Sequence, residues 1–460
     1  MKPTVVILAA GLGTRMKSGL AKALHPLAGR PLLQHVLEAV SGLAAGKTVV
    51  VLGHQADRVR KIAEGYNAAI ALQTEQLGTG HAVMQAQEVI AAAKGPVLIL
   101  CADTPLLTTA TLRSIVELHA ASRAAVTVMT AVVQEPFGYG RVVRGKGGIT
   151  RIIEEKDATT AQKKINEVNA GIYCFEQRFL LEALKSIKNT NAQGEYYLPD
   201  TITLARKKRL VVAGLVCGDP DEVMGVNTRV DLSRAEDIMR TRINRAWMLA
   251  GVTMLDPNAT FIGSEVTLGS DCILYPNVRL EGKTAIGKGC TLFSGSRILD
   301  STLGNDVTIK DCSVIEQASI SDNASVGPFA HLRPGSVIGA RARVGNFVEI
   351  KKSTIGEGSK ANHLAYIGDA TVGKDVNIGA GVITCNYDGF EKFPTIIEDG
   401  VFVGSDSQLV APVRIGRGAL IGAGSTITKN VPADALAISR SPQDLREGFA
   451  ARRRKMKQKK

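Results

Sequence analysis

Aromatic residues make up only 4% of this 460-residue chain, and Trp247 is its single tryptophan. Aromatic side chains usually dominate the interior of a large globular protein, so the core here must be built of something smaller. Paired cysteines are missing too. Cys101, Cys174, Cys217, Cys272, Cys290, Cys312 and Cys385 are odd in number, unevenly spaced and without a CxxC, which argues against a disulfide framework or a structural metal and for a reducing compartment. No apolar run approaches the 18 residues of a membrane span. Met1-Lys2-Pro3 leads directly into a strand-like run in place of a signal peptide. These absences lead us to expect a cytoplasmic protein without membrane insertion. The net charge is +13, but Arg452, Arg453, Arg454, Lys455, Lys457, Lys459 and Lys460 carry seven of it. The body is only mildly basic, and no nucleic-acid partner is expected for it; the tail itself reads either as a solvated terminus or as a patch for a polyanion or a membrane surface.

What the chain does have is a repeat. An aliphatic residue followed by glycine keeps returning at multiples of six, with occasional slips: Ile262-Gly263, Leu268-Gly269, Ile286-Gly287, Ile338-Gly339, Val344-Gly345, Val372-Gly373, Ile378-Gly379, Ile415-Gly416 and Ile421-Gly422. A six-residue period fits neither an amphipathic helix nor a single alternating strand. It fits a parallel β-helix in which each hexapeptide forms one short face and three complete a coil, giving about nine coils between Ile262 and Ile427. The aliphatic residue points inward, and the glycine beside it sits at a corner that a side chain would crowd. Stacked Val, Ile, Leu and Ala then account for the scarcity of aromatics.

The first half alternates strand-like and helical runs. Residues 4–10, 48–53, 69–73 and 97–103 read as buried parallel strands, and residues 31–44, 55–64 and 78–93 as helices. Such alternation implies a doubly wound, Rossmann-like α/β sheet whose ligand lies beyond the carboxyl ends of the strands. The loop Gly11 to Met16, the stretch Gln73 to Thr79, and Asp103 all fall at such ends. The glycines of the loop let backbone N–H groups approach phosphate oxygens, and Arg15 and Lys22 can neutralise a triphosphate. The loop is neither a dinucleotide fingerprint nor a P-loop, because Met16 stands where a third glycine belongs and GK[ST] is absent. Asp103 reads either as a Mg²⁺ ligand shared with substrate phosphates or as an N-cap for the segment after Pro105. Residues 231–249 carry apolar positions three or four apart and form a helical arm joining the halves, with Trp247 as a packing anchor. The domains expected are 1–229, a helical linker 230–250, and 251–460.

Within the repeat, departures from the pattern mark candidate chemistry. One is Arg333, Lys351 and Lys352 with the run Lys360 to Tyr366. The other is Thr384 to Lys392, a break long enough to form a loop. Arg333 and Lys351 could clamp a phosphate, and His363, as a histidine, suits general-base work near neutral pH. Each also has the bland reading of a surface residue.

The string Leu8-Ala9-Ala10-Gly11-Leu12-Gly13-Thr14-Arg15-Met16, with Lys22 behind it, resembles the signature loop of the sugar-1-phosphate nucleotidylyltransferases. Gly138-Tyr139-Gly140-Arg141, Glu154-Glu155-Lys156, Asn169-Ala170-Gly171 and Gly225-Val226-Asn227-Thr228 match further blocks of that family. The resemblance implies that Leu8, Ala9, Ala10, Gly11, Lys22, Gln73, Gly78 and Thr79 contact the nucleotide. It implies Gly140, Glu154 and Asn169 at the sugar, Asn227 joining Asp103 at Mg²⁺, and Arg15 and Lys22 as catalytic cations. The C-terminal half resembles the left-handed β-helix acyltransferases. Over nearly its full length the chain is similar to the bacterial bifunctional N-acetylglucosamine-1-phosphate uridylyltransferases and glucosamine-1-phosphate N-acetyltransferases. That similarity implies that Arg333, Lys351, Tyr366 and Asn377 hold glucosamine 1-phosphate, that His363 is the base, and that Ala380, Asn386, Tyr387, Ser405, Ala423 and Arg440 line an acetyl-CoA site. It further implies a homotrimer whose substrates are UTP, acetyl-CoA and the two sugar phosphates, and whose product, UDP-N-acetylglucosamine, is a cell-wall precursor. One departure is Cys101-Ala102 before Asp103, where Tyr-Gly is more usual. Two rival readings are a single-activity nucleotidylyltransferase with a regulatory β-helix, which should lack His363, Tyr366 and Asn386-Tyr387, and a non-enzymatic exchange or scaffold subunit, which should lack Arg15, Lys22 or Asp103.

Overall fold

The computed structural model describes residues 2–458; Met1, Lys459 and Lys460, invoked above at the two ends, lie outside the described residues. The chain forms two compact units, one running to Arg242 and the other starting at Ile243.

The first unit is built on strands β1 (Thr4–Ala9), β2 (Lys47–Leu52), β3 (Ala69–Leu72), β4 (Val97–Cys101), β5 (Val126–Val132), β6 (Arg141–Gly145), β7 (Gly148–Ile153), β8 (Glu167–Phe175) and β9 (Val212–Val216). Their order across the sheet is β9-β5-β8-β4-β1-β2-β3. β1 lies between β2 and β4 and is parallel to both. Its run TVVILA is apolar on both faces, as a strand covered on both sides by helices must be: Val5 and Ile7 enter one core and Val6 the other. β8 runs antiparallel to β4 and β5. The sheet is therefore mixed, and alternation of strand and helix alone does not foretell that reversal. The hairpin β6–β7 attaches where Arg141 faces Val168.

Helices α1 (Leu32–Ser41), α2 (Ala56–Glu64), α3 (Thr79–Gln85), α4 (Gln87–Ala91), α5 (Thr109–Ser122), α6 (Gln177–Leu184), α7 (Asp200–Lys207) and α8 (Arg229–Leu249) complete the set used here. The single helix expected over 78–93 is broken at Ala86, whose φ of −93° and ψ of 9° close α3; no side chain explains the break. α8 is divided between the units. Leu232, Ala235, Ile238 and Met239 pack with Leu27, Leu32 and Leu106 of the first, whereas Ile243 and Trp247 pack against the core of the second. Thr228 and Asp231 cap its start reciprocally: the Asp231 carboxylate accepts from Asn227 and Thr228 N–H, and Thr228 Oγ1 accepts from Asp231 N–H.

The second unit is a parallel β-helix with three faces of eleven, ten and nine strands. It begins at Thr253, ahead of the first Ile-Gly pair, and ends at Ala437, so it is taller than the repeat count implies. The inward residues, among them Ile262, Ile286, Ile338, Val344, Val372 and Ile415, form one continuous aliphatic core. The glycines next to them mostly keep negative φ. Crowding, as expected, is what requires them: the next coil's backbone lies where a Cβ would be. A Cβ on Gly269 would stand 2.6 Å from Lys288 N, and one on Gly339 would stand 2.7 Å from Glu357 N. The basic C-terminal segment Phe449–Gln458 is a helix with no buried residue. No described helix is long and apolar enough to cross a membrane.

This crowding generates a test. Gly339→Ala has no φ penalty to pay, so its cost is the forced separation of two coils, and it should destabilise the second unit by about 1–3 kcal/mol. Gly218→Ala, with open space around its Cβ, should be close to neutral. Equal unfolding midpoints for Gly339→Ala and the unsubstituted protein would show that coil contact does not select the glycine.

Candidate active sites

At the carboxyl ends of β1 and β4 a cleft of about 440 Å³ is lined by Leu8, Ala9, Ala10, Gly11, Arg15, Lys22, Gln73, Gly78, Thr79, Asp103 and Asn227. Local structure delivers each group. Gly13, in the left-handed region with φ 64°, turns the chain after β1 into a short 3₁₀ turn at Thr14–Met16. A Cβ there would also meet Lys22 Cβ at 2.8 Å, so the bare backbone lets Lys22 come in under the loop. Gly78, with φ 102°, passes so close to Tyr196 that a Cβ would fall 2.8 Å from its carbonyl oxygen. Thr79 Oγ1 is held there, accepting from Leu198 N–H at 3.1 Å. Gln73 is almost fully buried and donates to the Gly78 carbonyl.

Asp103 is not a helix cap. Thr108 caps α5, its hydroxyl accepting from Thr111 N–H. The Asp103 carboxylate instead binds the Lys22 ammonium, and the two side chains are only 18% and 19% exposed. The Asp103 carbonyl accepts from Val226 N–H, which draws Asn227 alongside. Asn227 Oδ1 then accepts from Lys22 Nζ at 3.1 Å and from Arg15 at 2.9 Å. A carboxylate oxygen and an amide oxygen thus converge on one cationic group. That donor set fits a divalent cation of the kind nucleotide-sugar chemistry requires, which takes one or two protein oxygens and completes its shell from phosphate and water; here the Lys22 ammonium occupies that position.

Gly140, Glu154 and Asn169 do not line this cleft; they form a group beside it. Asn169 N–H donates to the Gly140 carbonyl at 2.9 Å, and a Cβ on Gly140 would lie 3.2 Å from Glu154 Oε1. Cys101, which does line the cleft, meets the group through its thiol contact to the Gly171 carbonyl. Arg141, fully buried, braces the turn by binding the Glu155 carboxylate and the Tyr139 carbonyl. Glu154 has its pKa pushed up to about 7, first by burial and then by Asp157, Glu195 and Asp200.

On the β-helix the candidate residues fall into two columns. His363 pairs in register with Asn346 one coil below, and its Nδ1 lies 3.0 Å from Asn346 Oδ1. The same corner continues upward. Asp406 N–H donates to the Ala380 carbonyl, a Cβ on Gly404 would touch Ala423 N at 2.5 Å, and Arg440 donates to the Ala423 carbonyl at 2.6 Å. Ala380, Ser405, Ala423 and Arg440 therefore climb directly from His363. Asn377 shares that face, paired with Lys360. Arg333, Lys351 and Tyr366 lie on the next face, where Lys351 is in register with Gly368 and Tyr366 with Glu349. Arg333 is ion-paired to Glu349 at 2.8 Å. Lys351 stands 4.0 Å from Asp369, whose carboxylate also takes the Asn386 amide. The structure thus joins Lys351, Tyr366 and Asn386, and His363 lies on the adjoining face, at the end of the strand that precedes Tyr366.

Two participants escape a reading of the sequence. Lys392 is one, returned by a small hairpin in which Tyr387 bridges Lys392; its ammonium lies beside that of Lys351, which lowers its pKa. Asn346 is the other, findable only by counting one coil back from His363.

An α/β nucleotidyltransferase joined to a left-handed hexapeptide β-helix defines a two-domain transferase, and comparison with known proteins agrees. Residues 5–166 match the MobA-like NTP transferase domain, and residues 318–352 and 394–429 match the bacterial transferase hexapeptide (six repeats) family. The chain is 52% identical to a protein of Trichlorobacter lovleyi over 98% of both chains, and 51% identical to one of Pelobacter propionicus over 98% of both. A relative from Shouchella clausii is 51% identical, covering 96% of this chain and 98% of its own. All three bear the name Bifunctional protein GlmU, and the chain belongs to that family.

The displaced pKa of Glu154 has a consequence for stability. Its carboxyl is protonated in the folded protein up to about pH 7 but ionises near 4.5 in the unfolded chain. The stability it contributes is complete below the unfolded value and is lost as pH rises through 7. Glu154→Gln, which stays neutral, should therefore stabilise the protein increasingly between pH 5 and pH 8, reaching on the order of 2–3 kcal/mol. Denaturant unfolding at both pH values checks this, and a gain independent of pH would show that the carboxyl is not desolvated.

Proposed function

We propose that the chain makes UDP-N-acetylglucosamine in two steps, with the roles of individual residues assigned as follows. The β-helix acetylates glucosamine 1-phosphate with acetyl-CoA, and the α/β unit transfers the uridylyl group of UTP to the N-acetylglucosamine 1-phosphate so formed. One observation carries the reading: a single chain holds two cation clusters on two separate cores, Lys22 and Arg15 around Asp103 and Asn227, and Lys351 with Lys392 beside Asp369 and Tyr366. Like charges left side by side are stabilised by an anion placed between them, and every substrate of both reactions is anionic.

In the first step the imidazole of His363 takes a proton from the sugar amine as its nitrogen bonds to the acetyl carbonyl carbon. The C–S bond breaks and coenzyme A leaves as its thiolate. Asn346 fixes the ring: with Nδ1–H donating to Asn346 Oδ1, Nε2 carries the lone pair that accepts the proton. Arg333, Lys351 and Lys392 hold the sugar phosphate, with Tyr366 and Asn377, while Tyr387, Ala380, Ser405, Ala423 and Arg440 serve the coenzyme. Because the Asn386 amide is engaged by Asp369, its remaining N–H is the one directed to the acetyl group.

In the second step a phosphate oxygen of N-acetylglucosamine 1-phosphate bonds to the α-phosphorus of UTP and pyrophosphate departs. Arg15 and Lys22 neutralise the charge gathered there. Asp103 and Asn227 would hold a Mg²⁺ ion, which would supply further charge compensation for the phosphates.

The protein works as a homotrimer. His363 ends the strand Lys360–His363 and Tyr366 opens the strand Tyr366–Gly368, with only Leu364 and Ala365 turning the corner between them, so the two groups face one edge of the coil on which a neighbouring copy can close. Beside His363 runs an exposed column of Phe329, Phe347 and Leu364, each at positive φ, with the two phenyl rings stacked at 5.4 Å. Such a patch calls for a cover. The unit boundary lies within α8, between Arg242 and Ile243.

Asp103→Ala should lower uridylyl transfer by at least about 100-fold while acetyl transfer is retained. Loss of both with the fold intact by circular dichroism would sink the separation of sites. His363→Ala should cost about 10²- to 10⁴-fold in the kcat of acetyl transfer with little change in KM for the sugar, whereas Arg333→Ala should raise that KM. Asn346→Asp should move the acid limb of the pH–rate profile to higher pH, because a carboxylate favours the imidazolium. An unmoved limb would remove Asn346 from the mechanism, and a His363→Ala variant retaining half its activity would remove His363.

A further inference from the structure

A second and larger concavity, about 880 Å³, opens at the amino ends of β1 and β4, the end of the sheet away from the nucleotide cleft. Lys2 and Pro3 enter it just before β1, Gly95 and Pro96 just before β4, and the second half of α5 and the start of α6 form its other walls. None of its lining belongs to the machinery described above.

Its chemistry is one-sided. The floor is apolar, with Pro3, Leu43, Val116, Ala120 and Ala124. Lys2, Lys94, Arg113, Arg123 and Arg178 stand around it, and none of these side chains makes an ion pair or hydrogen bond among the described residues. Of the two carboxylates at the wall, Glu176 is engaged in capping α6, where it accepts from Arg178 and Phe179 N–H. One polar group is built into the floor. His119 is only 6% exposed, and its Nδ1 lies 3.0 Å from Thr127 Oγ1. Its Nε2 has no partner among the described residues and is not sealed off in the interior. When the Thr127 hydroxyl donates to Nδ1, Nε2 carries the hydrogen and becomes a donor.

We propose that this cleft is a second binding site, for a phosphorylated small molecule with an apolar body. The apolar floor takes the body, and the uncompensated guanidinium and ammonium groups take the phosphate, for which the planar fork of arginine is well shaped. The cleft has the size of a small-molecule site, with an apolar floor ringed by an unusual share of cationic groups. The strands entering it are the ones that deliver the phosphate loop and Asp103 at their far ends, one six-residue strand or about 20 Å away, so the two sites are distinct yet share a rigid connection.

The full chain serves for the test, with n-octyl phosphate below its micellar concentration as the amphiphilic probe and inorganic phosphate as the bare anion, followed by titration calorimetry. Octyl phosphate should bind at least about tenfold more tightly than inorganic phosphate, and its binding should persist in the presence of saturating UDP-N-acetylglucosamine. Arg113→Glu with Arg178→Glu, both exposed and remote from the catalytic residues, should weaken it by at least about tenfold and leave both transferase activities unchanged. His119→Phe keeps the ring volume and should weaken binding less. Equal affinity in the charge-reversed variant would overturn the proposal, as would equal affinity for the two probes or displacement by UDP-N-acetylglucosamine.

Discussion

The requirement that each coil of the β-helix lie flat on the one before it governs the second half of the protein. Backbone N–H groups donate to the carbonyls of the neighbouring coil along all three faces, and a side chain in the wrong corner would hold the coils apart. The same requirement makes a site. Residues one coil apart must stand above one another, so a functional group placed once acquires fixed neighbours. Asn346, His363, Ala380 and Ser405 form such a stack, so the base, the positioning partner and the coenzyme groove proposed above would all follow from one corner of one coil.

The nucleotide site rests on a different constraint, the desolvation of charge. Lys22 and Asp103 are each less than a fifth exposed, and a buried charge without a partner is costly. Each therefore satisfies the other in the absence of substrate, with Asn227 dividing its amide oxygen between Lys22 and Arg15. In the reaction proposed above, anionic substrate and a divalent cation together would replace both halves of that pairing without leaving any charge bare, whereas either alone would leave one group unmatched.

The inward aliphatic residues and their glycines were legible because stacking imposes a period on the sequence, and Leu8 to Met16 because a phosphate loop needs small residues in a fixed order. What could not be read lies where position depends on the path of the chain. Most coils advance by eighteen residues, as between Phe261 and Arg279, or by seventeen, as between Asn346 and His363, but the coil carrying Asn386 advances by twenty-five, as Lys374 and Asp399 show. The additional residues form the hairpin that brings Lys392 beside Lys351; no periodicity reports where an inserted loop will point. The antiparallel β8 is similar: its residues suit a buried strand in either direction, and only the connections around it settle the reversal. Gly140, Glu154 and Asn169 were identifiable as a group, but their place beside the cleft, joined to it through Cys101, is tertiary.

Glu154 links these considerations. A carboxyl enclosed by burial and by Asp157, Glu195 and Asp200 has its pKa pushed up to about 7 and keeps a substantial protonated fraction at neutral pH, and it does not stabilise the fold in its ionised form. Burial next to three other acids is tolerated because the proton removes the charge, and the protonated carboxyl can donate as well as accept. A sugar offers hydroxyl groups of both characters. The arrangement therefore sacrifices stability at alkaline pH for a versatile hydrogen-bonding group beside a cleft that carries Arg15 and Lys22, which suits the sugar contact proposed for Glu154 as those cations suit the phosphates.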